Sequence, residues 1–337
     1  MIKALAPTRI DLAGGTLDMP PLFLFHEFGL TINIAIDLYA EVTLEEVEGE
    51  GGDFEFYSKD LDSREQYGSI EEMKNKPKGT LELLTRTVGY FEPKKALRVT
   101  TDIHLPKGSG LAGSSALMIA LVGALNHHTK RGLSKPEMLT IAKSIETQLI
   151  KVPTGFQDYY PALYGSLTFL WLTVRGNKRE EPSLKKEFLD ELQEKLILVY
   201  TGEPHFSGTN NWQIFKDHID GNKEVIQTMQ NIRQTAEKMR KALLAEDIDR
   251  FADVLNEDWE NRKRLSPGVT TDQIESLITV SKEHGARAAR VCGAGGGGCM
   301  VVLAKDDPDE LKEVLKKNGA RILDYRFDYK GLTIEEI

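Results

Sequence analysis

"LPKGSGLAGSSALMIALVGAL" (Leu105–Leu125) sets a glycine-rich loop in front of a long apolar run. Gly108, Gly110 and Gly113 spell G-x-G-x-x-G, the pattern of a dinucleotide-binding turn. The stretch also falls short of a Walker phosphate loop, because Ser114 stands where the lysine is needed. A dinucleotide turn requires a buried parallel strand before the glycines and a second strand with an acidic end about 20 residues later. The preceding "LRVTTDIHL" (97–105) alternates instead, with Leu97, Val99, Thr101, Ile103 and Leu105 on one face and Arg98, Thr100, Asp102 and His104 on the other. It reads as a half-buried strand of an antiparallel or mixed sheet. A helix is expected from Ser114 to about Lys130, and another helix, not a strand, comes next. That second helix has Ser134 as N-cap, Pro136 in its first turn and Glu137 at its third position, and runs to about Ile150. Both familiar readings fail. What remains is a strand, a turn at Pro106-Lys107, a flexible loop and a helix opening with Ser114-Ser115. A helix N-terminus offers unpaired N–H groups and about half a positive charge. Glycines let those groups close on an anion, and serine oxygens add donors or a Mg²⁺ ligand. Phosphate binding is the expectation; a serine-capped β–α turn is the bland alternative.

The bulk properties narrow the class. The chain has 337 residues, enough for two domains, with 40% hydrophobic and 28% charged residues. A net charge of -9 argues against a nucleic-acid partner. No apolar run reaches the roughly 20 residues that span a bilayer, so no membrane partner is expected. "MIKALAPTRIDLAGG" turns polar too early for a secretory leader, and a cytoplasmic location is expected. Cys292 and Cys299 read as two reduced, buried thiols.

Residues 31–48 are β-branched and partly alternating, a strand, and "GEGGD" turns them toward "FEFYS" as a hairpin partner. "KVPTGFQDYYPALYG" (151–165) is a loop by its Pro and Gly content, leading into the apolar strand "SLTFLWLTV". The domain junction is expected at "EEPSLKKEF" (180–188), dividing the chain into 1–180 and 181–337. After "KLILVYTG" two or three amphipathic helices are expected between Trp212 and Glu283. Strand, glycine loop and strand follow in "ARVCGAGGGGCMVVL", then a charged helix and a last strand, "RILDYRFDY".

Two further stretches bear on the loop. "APTRIDLAGGTLDMPP" (6–21) brings an Arg, two Asp and a Gly pair near the start, and "VCGAGGGGCMVVL" (291–303) sets four consecutive glycines between strong strands. Close backbone approach to a ligand explains such a run better than a flexible turn does. Together the three segments resemble the motifs of the GHMP kinases, the superfamily of galactokinase, homoserine kinase, mevalonate kinase and phosphomevalonate kinase. "APTRIDLAGGTLD" resembles the first motif, "PKGSGLAGSSA" the second, the ATP loop, and "GAGGGG" the third. The resemblance implies an α+β fold of two domains, an N-terminal one like ribosomal S5 domain 2 and a ferredoxin-like C-terminal one. ATP and acceptor would lie between them.

It also implies roles. The loop Lys107, Gly108, Ser109, Gly110, Leu111, Ala112, Gly113, Ser114 and Ser115 would hold ATP. Ser115 and Glu146, hard oxygen donors, would hold Mg²⁺; Glu146 as a solvated helix carboxylate is the alternative. Asp158 matches the catalytic aspartate and would orient or deprotonate the acceptor hydroxyl, unless it merely caps a short helix over 158–163. Arg9 matches the arginine beside that aspartate rather than a surface ion pair. Asp18 and Thr16 would read sugar hydroxyls, or Asp18 would cap a turn before Pro20-Pro21. His205 and Ser207 in "TGEPHFSGTNNW", with Gly295 and Gly296, would complete the acceptor pocket. The pattern is most similar to the heptose 7-phosphate branch of sugar 1-kinases. Another small-molecule kinase of the superfamily, or a silent sugar-binding regulator, is the alternative. A phosphate on the acceptor would need a basic cluster, for which Arg86, Lys94 and Lys95 are available. A small-molecule sugar substrate is the expected partner, with a homodimer as a further expectation.

Overall fold

The structure, a computed structural model, describes residues 1–47, 53–76, 79–204 and 207–337, with the side chains of 207–210 left aside. Among the described residues the strands form two sheets. The first contains β1 (Ile2–Ala13), β2 (Gly29–Glu46), β3 (Phe54–Ser58), β4 (Ser63–Tyr67), β5 (Leu97–Ile103), β6 (Leu167–Thr173), β7 (Gly176–Glu180) and, from the far end of the chain, β12 (Thr333–Glu336). The second contains β8 (Leu196–Tyr200), β9 (Ala286–Val291), β10 (Cys299–Ala304) and β11 (Arg321–Leu323).

β2 is the spine of the first sheet. Its first half, through Ile36, is buried on both faces and pairs with β6; its second half alternates buried and half-exposed residues and pairs with β5. β5 keeps the alternation read from its sequence, with Leu97, Val99 and Thr101 buried and Arg98 exposed. It lies antiparallel to β2 and parallel to β3, a mixed sheet. The helix Gly113–Thr129 that follows is buried continuously from Ser115 to Leu125. An apolar surface all round suits a helix enclosed on every side. This one packs on β1 and β2, with the helices Glu82–Phe91 and Lys135–Ile150 over it. The latter begins as expected at Ser134, whose N–H and hydroxyl both donate to Glu137.

The second sheet runs β11-β8-β10-β9, antiparallel throughout. With the helices between β8 and β9 and the helix Pro308–Lys317 between β10 and β11, this is the ferredoxin-like β-α-β-β-α-β order. Period-two alternation splits its buried strands between two cores. Ile197, Val199, Met300 and Val302 pack with Ile274, Leu277, Leu311 and Leu315. Leu196, Leu198, Val301 and Leu303 pack instead with Phe251 and Leu255, and with Ile10 and Ile32 of the first sheet. That second core joins the halves of the molecule.

Four details differ from the sequence reading. "FEFYS" is not the hairpin partner of the strand before it: β5 inserts between them, so β3 pairs in parallel with β5 and antiparallel with β4. The region expected to hold two or three helices has four among the described residues: Ser207–Ile219, Lys223–Leu244, Ile248–Lys263 and Asp272–Glu283. The divisions come from the side-chain caps of Asn222, Asp247 and Thr271, each accepting from N–H groups of the next helix. "RILDYRFDY" contributes only Arg321–Leu323 to the second sheet, after which Phe327 bridges to Ile36. Finally, β12 returns to β1, so a boundary at residue 180 separates it from the sheet it completes. No helix among the described residues is long and apolar enough to cross a membrane.

Candidate active site

A cleft of about 530 Å³ opens where the two halves meet. Its wall includes Arg9, Thr16, Asp18, most of the loop Lys107–Ser115, Glu146 and Asp158. Residues chosen from separate motifs thus share one cavity.

The loop is shaped by left-handed backbone. Gly108 and Gly110 have φ of 68° and 72°, and Ala112 one of 65° immediately before the helix. No side chain among the described residues caps that helix, and its positive end, at Gly113–Ser115, faces the cleft. The third motif holds the loop from behind. A Cβ on Gly293 would stand 2.7 Å from the Gly110 carbonyl oxygen, and one on Gly298 would stand 2.7 Å from that of Ser109. The Cys299 N–H donates to the Ser109 carbonyl at 2.7 Å. Here backbone packs on backbone, which only residues without side chains allow.

That corrects one expectation. Gly295 and Gly296 do not line the cleft. A Cβ on Gly295 would meet the Val269 carbonyl oxygen at 2.3 Å, and the Gly296 N–H donates to the same oxygen at 2.7 Å. The glycine run serves close packing within the protein; of this loop, Gly293 and Ala294 reach the cavity.

Glu146 is 5% exposed, which excludes the solvated reading. Its carboxylate accepts from Ser114 Oγ at 2.6 Å, Ser115 Oγ at 3.0 Å and the Tyr159 hydroxyl at 2.5 Å. Burial raises its pKa against the pull of these three donors. Each serine that donates its proton keeps lone pairs on oxygen. With one buried carboxylate beside them, the set suits Mg²⁺, which takes one or two carboxylates and completes its shell with phosphate and water. Among the described residues no cluster of three His, Cys, Asp or Glu competes as a metal site.

Arg9 is buried and forks onto Asp158 Oδ1, from Nε at 3.0 Å and Nη2 at 2.7 Å, while Nη1 donates to the Gly110 carbonyl at 2.9 Å. Burial works against its charge, but Asp158 and Asp11 outweigh it and hold the guanidinium protonated. Neither the surface-pair nor the capping alternative survives. Asp158 precedes the helix Tyr159–Tyr164 but has helical φ and ψ, and its side chain accepts nothing from that helix. Its Oδ2 makes no hydrogen bond to the described residues.

Asp18 is buried 2% exposed and accepts the Gln157 N–H at 2.8 Å. Burial, reinforced by Asp158, pushes its pKa up to about 6. A Cβ on Gly155 would collide with its carboxylate, so the loop before Asp158 wraps directly around it. Thr16 has φ of 80°, a strained conformation for a β-branched residue, and sits in the cleft wall. His205 lies outside the described residues, and Ser207 begins a helix rather than continuing a loop. From that segment, Asn211 reaches the cavity. Arg86 and Lys95 do not: they pair with Glu82 and Glu46 elsewhere.

Sequence reasoning missed Gln157 and Arg262, which line the cleft, and the apolar end built by Leu61, Leu81, Leu84, Ile103 and Pro106. "GFQDYY" placed Gln157 beside a site residue; nothing marked Arg262 among the charges of its helix.

Two family models match the chain, GHMP kinases N terminal domain over residues 75–166 and GHMP kinases C terminal over residues 239–321, together just over half its length. The chain belongs to the GHMP kinases, and is a phosphotransferase of that family. It is 29% identical to a D-glycero-alpha-D-manno-heptose 7-phosphate kinase of Campylobacter jejuni over 98% of both chains. Its fold matches a crystal structure of a D-glycero-D-manno-heptose 1-phosphate kinase from Bacteroides thetaiotaomicron with a TM-score of 0.80 at 24% identity, covering 100% of this chain and 99% of that one. It also matches Lactococcus lactis galactokinase with galactose, with a TM-score of 0.76 at 17% identity over 98% and 95%.

Proposed function

We propose that this protein transfers the γ-phosphoryl group of ATP to the anomeric hydroxyl of a heptose 7-phosphate. The observation that carries the reading is the Arg9–Asp158 pair, joined through Arg9 to the Gly110 carbonyl of the loop. It sets a carboxylate beside the place where a phosphate chain would end. Phosphoryl transfer asks for alignment, charge neutralisation and an oriented hydroxyl. The N-terminus of the helix Gly113–Thr129 supports the phosphates, and the apolar end of the cleft suits a flat base. Ser115 and Glu146 would hold Mg²⁺, which, when bound, neutralises charge on the phosphate oxygens. Asp158 Oδ2 accepts the hydroxyl proton as the oxygen attacks, and Arg9 offsets charge on the transferring group. Asp18 and Thr16 orient the sugar. The heptose assignment is supported by the Campylobacter jejuni relative, aligned over 98% of this chain.

The test is ADP release over a panel of heptose 7-phosphate, heptose, fucose, galactose and mevalonate, with and without Mg²⁺. Fastest turnover on heptose 7-phosphate, dependent on Mg²⁺, is expected. Preference for another acceptor overturns the substrate, and no turnover on any overturns the activity.

A further inference from the structure

Beneath the cleft lies a buried set of charges that joins the two halves. Asp11 on β1 takes Arg290 of β9 at 2.7 Å, and Arg290 also meets Asp258 of the helix Ile248–Lys263 at 2.7 Å. Arg9 is matched by Asp158. One arginine of the set stands apart. Arg262, one turn after Asp258, is 2% exposed and has no carboxylate oxygen within ion-pair distance among the described residues. Its Nη2 donates to the Gly293 carbonyl, while Nε and Nη1 have no hydrogen-bond partner among the described residues. A buried cation satisfied by one neutral carbonyl is an expensive arrangement to keep. Burial, and then Arg290, pull its pKa below the usual arginine value, opposed by Asp11 and Asp258.

Its surroundings say what it waits for. Arg262 lines the cleft with Gln157, Thr16, Asn211 and Gly293. A Cβ on Gly15 would lie 2.7 Å from Arg262 Nη1 and 3.3 Å from Gln157 Nε2. The second glycine of "LAGG" is therefore the space that seats the guanidinium, and two side-chain donors converge there beside Asp11 Oδ2, 3.2 Å from the same point. The Gln157 amide nitrogen also has no acceptor among the described residues. Asp18 and Asp158, in the same cleft wall, are carboxylates. Arg9 reaches the loop Lys107–Ser115 at the Gly110 carbonyl, and Arg262 bonds Gly293, which packs behind that carbonyl, while its Nη1 lies against the first-motif glycine, Gly15.

We propose that Arg262, seated over Gly15 beside Gln157, binds a phosphate group already carried by the acceptor. This rests on the sugar-kinase reading of the cleft. A guanidinium presents planar N–H donors that match phosphate oxygens, and a dianion supplies the direct ion pair that Asp11 and Asp258, acting on Arg262 from farther off, do not. It also gives the site a means of preferring a phosphorylated sugar, because an uncharged sugar leaves those donors unpaired.

The experiment uses the full chain and two probes, heptose 7-phosphate and the same heptose without phosphate. Binding is read by calorimetry, and KM and kcat by ADP release with ATP. Arg262→Gln should weaken heptose 7-phosphate binding and raise its KM about 10- to 100-fold, the range of a lost charged hydrogen bond. The heptose KM and the ATP KM should change less than about threefold. Gly15→Ala, whose methyl displaces the arginine end, should reproduce the pattern, and Arg262→Lys should restore part of it. Melting curves identify a variant that has lost its fold, in which case Gly15→Ala and Arg262→Lys decide. Equal losses on both sugars, or a loss confined to ATP, overturn the assignment and leave the kinase reading standing. If wild type binds heptose 7-phosphate more tightly than heptose but releases no ADP, the kinase reading fails and the Arg262 site survives.

Discussion

Replacing Asp158 by Asn tests the chemistry with the least change of shape. The Arg9 fork needs only an oxygen at the Oδ1 position, which Asn supplies, so the two donors at 2.7 and 3.0 Å keep a partner. What is lost is the charge opposite a buried guanidinium and the basic oxygen, Oδ2. The Asp158 side chain is 34% exposed, so water screens the pair, and the stability cost should be about 1–2 kcal/mol rather than the ~3–5 kcal/mol of a fully buried pair. Loss of a general base typically costs about 10²–10⁴-fold in rate, or roughly 3–5 kcal/mol of transition-state stabilisation. Asp158→Asn should therefore lower kcat by at least about a hundredfold while the acceptor KM changes less than about threefold, since the interaction is made mostly in the transition state. Steady-state ADP release and a melting curve on the same preparation supply both numbers. A kcat within about threefold of wild type in a folded variant refutes the role. A large rise in KM with kcat preserved makes Asp158 a binding residue instead.

Three other expectations follow from the same site. Gly110→Val forces a β-branched residue into φ of 72°, with its Cβ 3.1 Å from the Cys292 carbonyl oxygen. Calorimetry should show ATP affinity falling at least about tenfold, and unchanged affinity would remove the loop from the nucleotide site. Glu146→Gln keeps the shape but removes the charge that three hydroxyls face. Activity should fall and the Mg²⁺ requirement rise; a normal metal titration would reassign the ion. Asp18 titrates near 6 in the folded protein, above an ordinary aspartate, chiefly through burial. Its contribution to stability is present below the unfolded pKa of about 4 and is lost as pH rises through about 6. Asp18→Asn should thus melt higher than wild type at pH 8, by an amount worth up to about 2–3 kcal/mol, with the gap narrowing below pH 5. A gap that is constant from pH 4 to 8 would contradict the raised pKa of the buried carboxylate.

What could be read from residues alone was local. Ser134 and Glu137 announce a helix start, Leu97–Leu105 alternates as a half-buried strand, and Gly108–Ser115 has the composition of a loop closing on an anion. Those signals depend on residue type and short spacing, which the chain carries wherever it folds. The order of three glycine-rich motifs was legible for the same reason, and with it the family. Partnership across the chain was not. Arg9 and Asp158 are 149 residues apart, and only the stacking of β1 against the loop before Tyr159 turns the motif resemblance into a forked pair. A glycine's sequence says that space is needed but not what fills it. Gly295 gave way to the Val269 carbonyl where a ligand was expected, and Gly15 proved to be the seat of Arg262. Arg262 itself looked like any charge on an amphipathic helix. Its burial, its lack of a direct ion pair among the described residues and its place in the cleft come from the docking of that helix between the two sheets, a long-range arrangement that no local pattern encodes.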